Sequence, residues 1–158
     1  MQAALRHATS HVAVQTTDPQ TLSYGLHDSP VGLCAWIVER RRNWSDCEGE
    51  VERRFSKDEL LTTVTLYWVT ESFVTSVRYY YEARHHLWTP SHSRTPIVEA
   101  PTGIAVFPRE LALMPRRWAE RYYNLQRWTV FPSGGHFAPM EEPQRLVEDI
   151  RAFFRPLR

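Results

Sequence analysis

The feature that most constrains this chain is an alternation in its last third. Pro101-Thr102-Gly103-Ile104-Ala105-Val106-Phe107-Pro108 is a short apolar run fenced by Gly and Pro, the pattern of a buried strand. Pro115 then opens a helical segment through RRWAERYY, and Arg127-Trp128-Thr129-Val130-Phe131 reads as a second short strand. Glu141 to Arg155 reads as a last helix, with Leu146, Val147, Ile150, Phe153 and Phe154 on one face. Strand, helix, strand, helix is the grammar of a parallel sheet, because parallel neighbours need a long crossover and a helix supplies it. Parallel sheets place their chemistry just beyond the carboxyl ends of the strands.

Two titratable residues stand at those ends. Glu110 follows the first strand, and His136 follows the second within Pro132-Ser133-Gly134-Gly135-His136-Phe137-Ala138-Pro139-Met140-Glu141-Glu142-Pro143. Gly134 and Gly135 permit a tight turn that holds His136 at the mouth of a site, where an imidazole exchanges protons near neutral pH. Adjacent parallel strands bring the two loops together. A carboxylate that accepts from one imidazole nitrogen fixes the tautomer and leaves the other nitrogen as a base.

The upstream chain reads differently. His11 to Gln15 (HVAVQ) alternates enough for a short strand or extended entry segment. Asp18-Pro19 and Ser29-Pro30 are cap-plus-proline helix starts, the first helix running to about Leu26 and the second opening Val31 to Val38. That apolar run ends in Glu39-Arg40-Arg41-Arg42, cations suited to a helix C-terminus. Polar, acidic Asn43 to Arg54 reads as a loop. Ser56-Lys57-Asp58-Glu59 matches a capping box ahead of Leu60, Leu61, Val64, Leu66, Tyr67 and Trp68, and Glu71 to Arg84 continues helically after a kink. Residues 18–86 are thus expected as an all-α block, followed by a loop over 85–96 rich in His, Ser, Thr and Pro.

Composition narrows the function classes. Lys plus Arg is 19 against 18 for Asp plus Glu, so no net field points to nucleic acid or an anionic membrane surface. At 158 residues the chain suits one ordinary domain. Aromatic content of 13%, with six Trp and seven Tyr, points to a pocket or interface of large rigid side chains. Cys34 and Cys47 are the two cysteines; Cys34 lies in an apolar run and reads as a buried thiol, which suits reduced, cytoplasmic chemistry. Met1 to Ser10 lacks a signal-peptide core, and no segment approaches a membrane span.

Taken together, ordered blocks along nearly the whole chain resemble the microsomal-type epoxide hydrolases and their bacterial relatives, within the α/β-hydrolase superfamily. The blocks are Gln15–Thr21, Asp28-Ser29-Pro30-Val31-Gly32-Leu33, Trp44-Ser45-Asp46, Phe55-Ser56-Lys57-Asp58-Glu59-Leu60-Leu61, Leu66-Tyr67-Trp68, Arg78-Tyr79-Tyr80, Pro101-Thr102-Gly103, Phe107-Pro108-Arg109-Glu110 and Gly134-Gly135-His136-Phe137. The resemblance implies the C-terminal portion of an α/β-hydrolase fold with a partial parallel sheet: residues 1–96 a helical lid and return loop, residues 97–158 the end of the core. It implies a general base at His136, its orienting acid at Glu110, and at Tyr80 a lid phenol that donates to the epoxide oxygen, with Tyr79 and Tyr81 one position away. Tyr81, Trp68, Phe107 and Phe137 would line the substrate pocket. It implies a small-molecule epoxide as substrate, hydrolysed to a vicinal diol through an aspartyl ester in a detoxification-type reaction, with no cofactor and no metal.

The chain departs from the family in two places. The second lid tyrosine falls near the position that here reads His11. The nucleophile is missing: none of Asp18, Asp28, Asp46, Asp58 and Asp149 stands in a glycine-flanked elbow after a strand, and the oxyanion loop is absent too. The expectation is that this chain alone does not turn over epoxides and that it self-associates or complements a missing N-terminal half. The alternatives are a truncated, non-catalytic module for binding or assembly, and another hydrolase such as an esterase or dehalogenase, against which the aligned Tyr80 argues.

Overall fold

A computed structural model describes residues 2–157. The chain divides into two compact units. The first takes the chain up to Asn43 and resumes from Cys47 to Trp88; the second takes Trp44–Asp46 and the chain from Thr89 onward.

The first unit is helical: α1 (Gln2–Thr17), α2 (Pro19–His27), α3 (Pro30–Trp44), a 3₁₀ turn (Val51–Arg53), α4 (Lys57–Val69) and α5 (Phe73–His85). The strand expected at His11–Gln15 is part of α1. Five residues of alternation fit a helix equally well when their ends lie four apart, and His11 and Gln15 are the two buried residues among the described side chains of α1. Pro19 and Pro30 stand at the first positions of α2 and α3, and the Gly32 N–H donates to Ser29 Oγ at 3.0 Å. Arg41 and Arg42 stand in the last turn of α3, which ends at Trp44.

At α4 the capping box forms in full: the Glu59 N–H donates to Ser56 Oγ (3.2 Å), and the Ser56 N–H donates to Glu59 Oε2 (2.8 Å). The expected kink is a clean break, with Glu71 in the left-handed region at φ 53° between α4 and α5. Leu33, Val64, Phe73 and Val77 form a buried core, with Leu22, Leu26, Ile37 and Trp68 packed on it; α1 and α2 both lie on α5. Both cysteines are free thiols, but the fully buried one is Cys47, while Cys34 is only half-buried at the rim of this core.

The second unit holds β1 (Val98–Val106), α6 (Arg116–Tyr122), β2 (Tyr123–Val130), a short α7 (Ala138–Glu141) and α8 (Pro143–Phe154). The strands pair in parallel, from Val98 opposite Tyr123 to Val106 opposite Val130. Both begin upstream of the apolar runs that signalled them. Tyr123 already takes extended angles at the end of α6, so β2 starts with no intervening loop. The last helix is divided at Glu142, because Pro143 has no N–H to continue the α7 ladder.

α8 packs on both strands. Gly103 lets the Phe153 ring lie on β1, since a Cβ there would sit 2.9 Å from the ring. The largely covered carboxylate of Asp149 accepts from Arg127 Nε and Thr129 Oγ1, both at 2.7 Å, and so pins α8 to β2. The apolar face expected of this helix is only half covered: Leu146 and Phe153 are half-buried, while Val147, Ile150 and Phe154 are exposed. Among the described residues, no helix is long and apolar enough to cross a membrane.

Candidate active site

The pairing of the two strands continues past their ends, with the register shifted by two residues. The Phe131 N–H donates to the Val106 carbonyl (2.9 Å) and the Arg109 N–H to the Gly134 carbonyl (3.1 Å), and Arg109 pairs with Gly135 in an isolated parallel bridge. The next residue on each side is Glu110 and His136. They meet: His136 Nδ1 lies 2.7 Å from Glu110 Oε1. An ionised carboxylate can only accept, so the proton of a neutral imidazole belongs on Nδ1 and Nε2 carries the free lone pair. Glu110 Oε1 also accepts from the Leu111 N–H at 2.6 Å, which holds the carboxylate still. Both side chains keep about a third of their surface open to solvent.

The turn that presents His136 needs its glycines. Gly134 stands at φ 107°, and a Cβ there would fall 2.7 Å from the Phe107 ring; at Gly135 a Cβ would fall 2.7 Å from the Trp44 carbonyl oxygen. That carbonyl accepts the His136 N–H at 3.0 Å. The Trp44 ring meets the imidazole edge-to-face at 5.2 Å and stacks on Phe137 at 6.0 Å, and Phe137 itself meets the imidazole edge-to-face at 5.2 Å. Phe107 is buried beneath the turn, stacked on Phe131 with centroids 4.7 Å apart.

The remaining candidates lie in the helical unit. Tyr80 is half-buried on α5, its ring edge-to-face with His11 at 5.3 Å. Burial pushes its hydroxyl pKa above the ordinary 10.0, nearby Tyr67 pushes the same way, and Arg40 opposes both. Its neighbours differ: Tyr79 is exposed, and Tyr81 stacks on His85 at 3.9 Å along a shallow cleft of about 360 Å³ shared with Asp18 and Arg78. Trp68 is half-buried against the core. None of the five aspartates occupies a strand-to-helix elbow. Asp18 and Asp28 flank α2, Asp58 sits in the first turn of α4, Asp149 is tied to β2, and Asp46 accepts from the Gly134 N–H at 3.0 Å.

Three residues here escape a reading of side-chain chemistry alone: Trp44, Asp46 and Glu141. The first two fall in a matched block, Trp44-Ser45-Asp46, and only their place beside the His136 turn was hidden. Glu141 carries no sequence signal beyond its acidity at a helix start.

No family model matches the chain. A protein of Stigmatella aurantiaca described as a putative epoxide hydrolase is 40% identical over 158 residues, covering 99% of this chain and 35% of that protein. Epoxide hydrolase 1 of Sus scrofa is 38% identical over 156 residues, covering 94% of this chain and 34% of that protein. The crystal structure of juvenile hormone epoxide hydrolase from Bombyx mori superposes with a TM-score of 0.77 at 31% identity, covering 95% of this chain and 38% of the other. The chain therefore spans about a third of the length of the curated relatives it matches. In sequence and in fold, it matches the C-terminal part of epoxide hydrolases, which have an α/β-hydrolase fold; the matching chain is mostly helical, with a small two-stranded parallel sheet.

Proposed function

We propose that this chain supplies the water-activating pair and the oxygen-protonating phenol of epoxide hydrolysis, acting with an aspartate nucleophile from outside its 158 residues. The observation that carries the reading is the 2.7 Å contact between His136 Nδ1 and Glu110 Oε1 at consecutive parallel strand ends. In this scheme the aspartate attacks an epoxide carbon and the C–O bond breaks. The Tyr80 hydroxyl donates its proton to the departing oxygen, a task suited to a phenol that burial keeps neutral. His136 Nε2 then takes a proton from water, and the resulting hydroxide adds to the ester carbonyl. Collapse breaks the ester C–O bond, the second oxygen of the vicinal diol takes the hydroxide's proton as the aspartate re-forms, and the imidazolium proton restores the Tyr80 phenol. Glu110 stabilises the imidazolium that forms.

The first helical stretch, residues 1–96, is the lid in this reading, and 97–158 is the end of the core. Phe137 and Phe107 line the floor around the imidazole. Tyr81 and Trp68 supply aromatic surface on the lid side. The location is cytoplasmic.

The test is reconstitution. The purified chain is assayed for diol from styrene oxide alone, then after co-expression with the N-terminal part of the Stigmatella aurantiaca relative. No diol is expected from the chain alone. Diol is expected from the pair, reduced at least 100-fold by His136→Ala, in line with the loss of a general base. Diol from the chain alone, or unchanged turnover with His136→Ala, overturns the scheme. A folded pair that makes no diol instead supports a non-catalytic module for binding or self-association. The exposed Val130, Val147, Ile150 and Phe154 favour that second reading.

A further inference from the structure

We infer that Asp46 and Glu141 are positioning residues for His136: two carboxylates that fix the turn carrying the imidazole without touching the imidazole themselves. The inference deepens the proposed function and rests on His136 being its base. Glu141 is buried, and it uses both oxygens on backbone: Oε1 accepts the Phe137 N–H at 2.9 Å and Oε2 accepts the Asp46 N–H at 2.7 Å. Asp46 in turn accepts the Gly134 N–H on Oδ2 at 3.0 Å, with Arg109 Nε 3.5 Å from its other oxygen. The His136 N–H goes to the Trp44 carbonyl between them.

Amides at 134, 136 and 137 are thereby held by acceptors at 44, 46 and 141. A backbone that exposes successive N–H groups in a tight turn would otherwise bond to water, and the imidazole would swing with it. Charged acceptors make such bonds shorter and stronger than neutral ones. Gly135 completes the clamp, because a Cβ there would collide with the Trp44 carbonyl, the Asp46 nitrogen (2.9 Å) and Glu141 Oε1 (3.1 Å). Trp44–Asp46 thus belongs to the second unit, although 42 residues of the first separate it from Thr89. The clamp positions the ring so that Nδ1 stays on Glu110, which leaves Nε2 as the basic nitrogen.

The test reads the imidazole directly and needs neither substrate nor nucleophile. In the ¹⁵N-histidine-labelled chain, His136 is assigned by its loss in His136→Gln, and its two ring-nitrogen shifts report the tautomer. The wild-type ring is expected in the single Nδ1–H form. Asp46→Ala and Glu141→Gln should move both nitrogens to the averaged values of a freely interconverting imidazole. Asp46→Asn, which keeps an acceptor for the Gly134 N–H, should restore the single form. A merely structural role would lower the melting temperature and leave the tautomer fixed in every folded variant, and that outcome overturns the inference. If the alanine variant does not fold, amide exchange in the wild-type chain decides: protection at Gly134, His136 and Phe137 is expected, and exchange there at free-chain rates overturns the inference. Failure to form diol after reconstitution leaves these readouts intact, so the two proposals fail separately.

Discussion

The two units surround their candidate side chains by opposite means. In the helical unit, Tyr80 is half-buried against His11, and lost solvent raises the pKa of its hydroxyl. In the strand-bearing unit, the His136 side chain stays more than a third exposed, its Nδ1 lies 2.7 Å from Glu110 Oε1, and N–H groups of its turn donate to the Glu141 and Asp46 carboxylates. That second unit buries few large apolar side chains and leaves Val130, Val147, Ile150 and Phe154 in solvent. In the proposed reaction, a phenol that must stay neutral gains from desolvation, which disfavours its anion. The base of that proposed reaction exchanges protons with water and needs solvent access, so its orientation has to come from directional bonds.

The comparison breaks first at the helical core. Phe73→Ala removes a side chain only 3% exposed and is expected to destabilise the helical unit by about 3–5 kcal/mol, measured by urea unfolding at 222 nm. Amide exchange should accelerate in α2–α5, and equal acceleration throughout β1 and β2 would erase the distinction between the units. A smaller effect is expected at Gly103→Ala. Its Cβ meets the Phe153 ring at 2.9 Å, so α8 must shift on β1 at a cost of about 1–3 kcal/mol, seen as faster exchange along the two strands. Exchange unchanged there would show that α8 contributes little to the sheet.

The smallest effect is the most specific. With its folded pKa raised, Tyr80 holds its proton longer in the folded chain than in the unfolded one. Its contribution to stability is therefore complete below about pH 10 and is lost as pH rises through the folded value. Phenolate absorbance at 295 nm should show a late-titrating component among the seven tyrosines, and Tyr80→Phe should remove it. Its persistence in that variant would assign the buried phenol elsewhere.

Legibility in the sequence followed the range of the interaction. Ser56 and Glu59 announced their helix start because both halves of a capping box lie within four residues, and the box forms in full. The Glu110 and His136 loops could be placed together because parallel pairing is a topological rule. α1 was misread because HVAVQ shows five residues of a 16-residue helix. β2 begins at Tyr123 rather than Arg127 because pairing with β1 overrides the helical pattern of RRWAERYY, a tertiary cause without local trace. The same holds for Glu141: nothing near it in sequence shows that its carboxylate closes on Asp46, 95 positions away.

The parallel bridge beyond the strands makes the pair sensitive to counting. From the last strand pairing, Val106 opposite Val130, the chain takes three residues to Arg109 on one side and five to Gly135 on the other. Each residue of extended chain advances about 3.3 Å, more than the whole 2.7 Å between His136 and Glu110. Substitutions around the site can therefore be graded in effect, but a deletion or insertion in either connection cannot. Length, as much as residue identity, is what this part of the chain inherits.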